Sequence, residues 1–66
     1  MTVYVNGEPH EIAEGATLAQ LLAAVSAPAQ GIAVELNRTI VRRRDHATQA
    51  LSAEDRVEIV GLVGGG

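Results

Sequence analysis

The chain opens in strict alternation, with Met1, Val3 and Val5 on one face of an extended segment and Thr2, Tyr4 and Asn6 on the other. The alternation stops at Asn6-Gly7. Both central residues of a tight two-residue hairpin turn need positive φ, which Asn and Gly supply at least cost, so the pattern predicts a β-hairpin. A two-residue loop pairs Val5 with Glu8, Val3 with His10 and Met1 with Ile12, and it turns His10 and Ile12 to the inner face. Pro9 has no N–H to give to a ladder, so the second strand belongs at a sheet edge.

The period then changes. In GATLAQLLAAVSAP, Leu18, Leu21, Leu22 and Val25 fall at i, i+3, i+4 and i+7, one apolar stripe of a helix, and Ala19, Ala23 and Ala24 add helix propensity. Thr17 followed by Gln20 has the spacing of a capping box, in which hydroxyl and amide satisfy orphan N–H groups at the first turn. Ser26 and Pro28 end the helix, because proline disfavours the α region for Ala27 before it.

Alternation returns after Gly31. Ile32, Val34 and Leu36 face one way and Ala33, Glu35 and Asn37 the other, with a turn at Asn37-Arg38 leading into Ile40-Val41. RRRDHATQAL is polar and aperiodic and reads as a loop with at most one helical turn. A turn at 53–55 starts a last strand, with Val57 and Ile59 on one face and Glu58, Val60 and Leu62 on the other. The order β-β-α-β-β-β with one amphipathic helix predicts a two-layer α+β domain, the helix packed on one face of a mixed sheet. The natural arrangement sets the final strand beside the first, in parallel, which is the β-grasp.

Composition narrows the function. Sixty-six residues make one domain, near the lower limit of independent folding. The absence of cysteine removes disulfides, thiolate metal sites and sulfur nucleophiles on side chains. A net charge of −3 disfavours nucleic acid and points to a protein partner. With no apolar run of membrane-spanning length and no leader pattern at Met1, the chain reads as cytoplasmic, with no membrane partner. His46 has no neighbours at metal-ligand spacing, His10 reads as a packed edge histidine, and no set of nucleophile, base and orienter occurs. We therefore expect neither a metal nor an enzyme active site. Arg42 to Arg44 read as a solvated loop.

The whole chain resembles the ThiS family, the sulfur carrier proteins of thiamin biosynthesis, ubiquitin-like β-grasp proteins that end in Gly-Gly. The resemblance rests on the opening strand with its Asn turn, GxTxxxLL at Gly15, Thr17, Leu21 and Leu22, and GIAVELN from Gly31 to Asn37. It extends over IVxR at Ile40, Val41 and Arg43, DRVEIV from Asp55 to Val60, and the terminal Gly65-Gly66. Two positions depart from the family pattern: Arg42 stands where proline often follows IV, and Glu54 where the turn before the last strand often reads Gly-Asp.

This resemblance implies a β-grasp domain over 1–63 followed by a flexible tail, 64–66. It also implies a protein co-substrate rather than a catalyst. The Gly66 carboxylate would be adenylated by a ubiquitin-activating-enzyme-like adenylyltransferase that consumes ATP, with no cofactor bound to the carrier itself. A cysteine desulfurase would supply the sulfur, and the resulting thiocarboxylate would donate it to thiazole synthase. Gly64 and Gly65 would then thread a narrow passage to the nucleotide, where a Cβ would clash. Since no side chain can hold a persulfide, any sulfur carried must reside on the terminus.

Alternation places Val60 and Leu62 on the face away from the helix, with Tyr4 on the adjacent first strand, an apolar patch that suits partner docking. Scattered surface apolar residues are the competing reading, as is an acidic partner surface for the arginine loop. Alternative functions are a sulfur carrier of the molybdopterin type, a ubiquitin-like modifier, and a β-grasp interaction module without tail chemistry. The chain has no lysine on which a modifier could build chains of itself.

Overall fold

The computed structural model describes residues 1–62. The expected bounds of the domain at 63 and of the tail at 64–66 lie outside the described residues, as do Gly64, Gly65 and Gly66.

The first two strands, β1 (Thr2–Val5) and β2 (Glu8–Glu11), form the expected hairpin in the expected register, Val3 opposite His10 and Val5 opposite Glu8. Asn6 and Gly7 take φ of 50° and 86°, the turn that only such residues enter cheaply. Ile12 N–H donates to Met1 C=O at 2.9 Å, carrying the pairing one step further. The helix α1 (Leu18–Ala24) begins at a complete Thr17–Gln20 capping box and buries Leu18, Leu21 and Leu22. Its end is closed by Ser26 at φ 56°, with Ser26 N–H to Ala23 C=O at 3.1 Å and Ala27 N–H to Leu22 C=O at 2.9 Å. These two bonds are the pattern that satisfies the last carbonyls of a helix when one residue turns left-handed.

Beyond α1 lie β3 (Ile32–Leu36), β4 (Thr39–Ile40), a 3₁₀ turn at Arg43–Asp45 and β5 (Arg56–Gly61). The strand β4 is shorter than the alternation suggests: it stops at Ile40, and Val41 keeps one bond to β3, its N–H to Val34 C=O at 2.9 Å. The sheet order is β2-β1-β5-β3-β4, with β5 parallel to β1 and antiparallel to β3. This is the mixed sheet with one helix on one face that the β-grasp requires, and β2 is an edge, as Pro9 demands.

Val3, Val5, Val34 and Val57 from the sheet meet Leu18, Leu21 and Leu22 from the helix, all buried, with Ile12, Ile32, Leu36 and Ile59 packed at the rim. Leu51 joins this core from the aperiodic segment. Its N–H donates to Ala16 C=O at 2.9 Å and Leu18 N–H to Gln49 C=O at 2.8 Å, so the loop is stitched to the start of α1. The aperiodicity of 42–51 concealed a core residue, because one anchoring leucine generates no period to detect.

Candidate functional site

The strand that leads to the terminal glycines occupies the centre of the sheet. DRVEIV alternates apolar and polar positions, and β5 accordingly buries Val57 and packs Ile59 against the core while turning Arg56, Glu58 and Val60 outward. It is paired with β3 along its length, from Leu36 opposite Val57 to Ile32 opposite Gly61. Its pairing with β1 is short, Tyr4 with Arg56 and Val5 with Val57.

Where β1 ends, the Asn6 side chain takes over. Its Oδ1 accepts from Ile59 N–H at 2.7 Å and its Nδ2 donates to Ile59 C=O at 3.3 Å. Asn37, in the turn between β3 and β4 with φ 50°, does the same on the other flank: Oδ1 accepts from Arg56 N–H at 2.9 Å and Nδ2 donates to Asp55 Oδ1 at 3.0 Å. Leu62 N–H donates to Gly31 C=O at 2.7 Å, the last described backbone bond before the tail. The strand β5 is therefore held on both sides as far as Ile59, and on the β3 side as far as Leu62.

The face of the sheet away from α1 is the one the alternation assigns to docking. Ile40, Val60 and Leu62 are its exposed large apolar residues, at 67%, 49% and 61% of their full exposure. Val60 lies opposite Ala33, Glu58 opposite Glu35, and Glu35 opposite Ile40. Two carboxylates thus stand side by side in the cross-strand row that ends at Ile40, two residues along β5 from Val60.

Tyr4 shares this face but not this patch. It is paired with Arg56, four positions before Val60 on β5, which is about 13 Å along a strand. The Arg56 guanidinium lies over the Tyr4 ring, 4.9 Å from its centroid. The register between β1 and β5, which the sequence does not encode locally, separates residues that alternation alone puts together.

Gly64, Gly65 and Gly66 fall outside the described residues. Among the described residues, no three His, Asp or Glu side chains come together at a spacing that could hold a metal ion, and no helix is long and apolar enough to cross a membrane. His10 pairs with Val3 on the inner face, and His46 Nε2 lies 3.0 Å from Val41 C=O. His10 is half-buried there, and His46 is engaged with the backbone. What the arrangement offers is a braced central strand beside an exposed apolar and acidic face. The two asparagine clamps escaped the sequence reading. Asn-Gly and Asn-Arg signal turns, and nothing in them announces a reach across to β5.

The sequence model of the ThiS family matches residues 3–66. The crystal structure of the thiamine biosynthesis protein ThiS from Geobacter metallireducens is similar over the whole of both chains, with a TM-score of 0.86 and 33% identity. The segment is 36% identical over 66 residues to a thiazole synthase of Magnetococcus marinus and 33% identical to one of Paramagnetospirillum magneticum. The chain spans 20% of the length of each of these thiazole synthases. It is also 33% identical to a Porphyra purpurea protein called uncharacterized protein ycf40, of which it covers 93%.

Proposed function

The chain belongs to the ThiS family, and from that membership we propose that it is a sulfur carrier of thiamin biosynthesis, a co-substrate that takes sulfur on the carboxylate of Gly66. The observation that carries this reading is the extent of the family match, 3–66, which takes in the fold and the terminal glycines together.

The chemistry suits the group. An α-carboxylate has a pKa near ~3.5 and is ionised at neutral pH. Its oxygen attacks the α-phosphate of ATP, pyrophosphate leaves, and the product is an acyl adenylate. A sulfur nucleophile then displaces AMP. Where the sulfur arrives as a desulfurase persulfide, a second thiol reduces the acyl disulfide and frees the thiocarboxylate. The adenylating enzyme supplies the nucleotide site, so the carrier needs no cofactor. It contributes a carboxylate on a handle, with Gly64 and Gly65 allowing close backbone approach. Val60 and Leu62 form the patch that the partner grips, with Tyr4 further along the same face.

Thiazole synthase is the proposed acceptor. Two proteins of that name contain a segment like this chain as a fifth of their length. Joining two modules raises the effective concentration of one at the other, which favours such fusions where the two work in succession.

The deciding experiment is intact-mass analysis of the protein from its own cell, together with reconstitution using ATP, a cysteine desulfurase and the adenylating enzyme. The expected product is heavier by the replacement of one oxygen with sulfur, and deletion of Gly66 abolishes it. The native mass also establishes that Gly66 is the free C-terminus, which the mechanism requires. Absence of the thiocarboxylate with all components present rejects the carrier function. Transfer to an acceptor other than thiazole synthase rejects the pathway and retains the carrier.

A further inference from the structure

Along the free edge of the sheet, a groove of about 580 Å³ runs between α1 and the β3–β4 side of the domain and reaches Ala33 and Ile40 at the border of the outer face. Its helix wall is small and apolar, Ala19 and Ala23, and its opposite wall includes Ile32 and Val41. Arg42 and Arg43 stand at its rim. No Asp or Glu lines it, although the chain carries eight acidic residues and only five basic ones.

The charge distribution makes that absence informative. All five basic residues are arginines, and four of them, Arg38, Arg42, Arg43 and Arg44, fall between positions 38 and 44. Among the described residues the ion pair found is that of the Met1 ammonium with Glu11, at 3.8 Å. The arginines at this groove are thus exposed and without a carboxylate partner among the described residues, on a protein whose net charge is −3. Guanidinium groups in such a position are available for bidentate pairing with a carboxylate.

The backbone points the same way. Leu62 N–H bonds Gly31 C=O, and Asn37 N–H bonds Arg56 C=O. The odd-numbered residues of β3 therefore pair with β5, while Ile32 and Val34 turn their backbone groups to the other edge. There Val34 C=O accepts from Val41 N–H. Because β4 covers only Thr39–Ile40, Ile32 is left with an open edge inside the groove. An open edge beside an apolar wall is a place where an extended segment gains both backbone bonds and side-chain burial.

We propose that this groove is a second docking surface, for an extended protein segment that carries alternating apolar and acidic side chains, with carboxylates on Arg42 and Arg43 and apolar groups against Ala23 and Ile32. The site goes beyond the carrier reading. The apolar walls favour a protein segment over a polyphosphate backbone, which would leave them unsatisfied.

The test is a titration of the full chain, followed by amide chemical shifts, with a blocked peptide alternating leucine and glutamate. Saturable shifts confined to Ala19, Ala23, Ile32 and Val41 to Arg43 are expected, with affinity falling as salt rises. The double variant Arg42→Glu, Arg43→Glu should lose at least tenfold in affinity. Ala23→Glu, which fills the groove from the helix side, should do the same with the arginines intact, and retained amide dispersion verifies the fold of each. A peptide with lysine in place of glutamate should not bind. Shifts on Tyr4, Val60 and Leu62 instead, equal binding of the lysine peptide, tighter binding of an oligothymidylate or of phosphatidylglycerol vesicles, or no saturation at millimolar peptide would each overturn the proposal.

Discussion

Asn6 holds Ile59 by both backbone groups, accepting from its N–H at 2.7 Å and donating to its C=O at 3.3 Å, fifty-three positions along the chain. One side chain therefore does the work of a further residue of β1, and it does so from a turn position whose φ of 50° asparagine tolerates better than most residues. Asn6→Ala removes both bonds and strains the turn. A loss of about 1–3 kcal/mol is expected from the unmet Ile59 groups and the turn together, read as a lower urea midpoint. Hydrogen exchange should quicken first at Ile59 and neighbouring amides of β5.

The two departures from the family pattern sit in backbone conformations that suit the family residue. Glu54 has φ 69°, the left-handed region, where a side chain costs roughly 1–2 kcal/mol and glycine costs little. Arg42 has φ −67° and ψ 148°, the values proline fixes, and its N–H enters no hydrogen bond among the described residues. Glu54→Gly and Arg42→Pro should each stabilise by about 0.5–1 kcal/mol. For a domain of this size that is a rise of roughly 4–8 °C in Tm per kcal/mol. No hydrogen bond among the described residues joins the two turns, so the double variant should show the sum. A fall in Tm for either would reject the conformation assigned to that turn.

Leu51 is the test of whether the aperiodic segment belongs to the core. It is buried beside Leu18 and Val3 in one cluster. Leu51→Ala should cost about 2–5 kcal/mol, a large share of the roughly 3–10 kcal/mol that a chain of this length has in total. Equilibrium urea unfolding gives the number. A change below about 0.5 kcal/mol would mean that the loop is not part of the cooperative unit.

Docking on the outer face predicts a separation of activity from stability. Val60→Glu and Leu62→Glu place a charge on exposed positions, so the unfolding free energy should move little, within about ±0.5 kcal/mol. The kcat/KM of the adenylating enzyme for the carrier should fall about tenfold or more, as for an anchor at an interface. Tyr4→Ala should fall less, because Arg56 already covers that ring, and it should also lose the roughly 0.5–1 kcal/mol of the cation–π contact. Unchanged kcat/KM in all three variants would remove this face from the interaction.

What could be read from the sequence was what short range decides. Asn6-Gly7 determines its own turn, Thr17 and Gln20 cap the helix they begin, and the alternation of DRVEIV assigns its faces without help from the rest of the chain. The legible part of the site was likewise local, namely that Val60 and Leu62 point outward. The distance of Tyr4 from them depends on how β1 slides along β5, and the bonds of Asn6 and Asn37 to β5 depend on strands joined only after folding. Burial of Leu51 required the loop to be laid against α1, a contact with no counterpart in local pattern.

The last strand in sequence is the middle strand in space. A chain that stops before Arg56 holds the β1–β2 hairpin and the β3–β4 pair with nothing to join them into a sheet, and leaves Val3 and Val34 without Val57 and Ile59 between them. During synthesis the sheet cannot close until that strand has emerged from the ribosome, so the two strand pairs wait on the segment through Gly61. A polypeptide cut short of this strand therefore leaves both pairs unjoined, with sheet edges and apolar faces open to proteolysis.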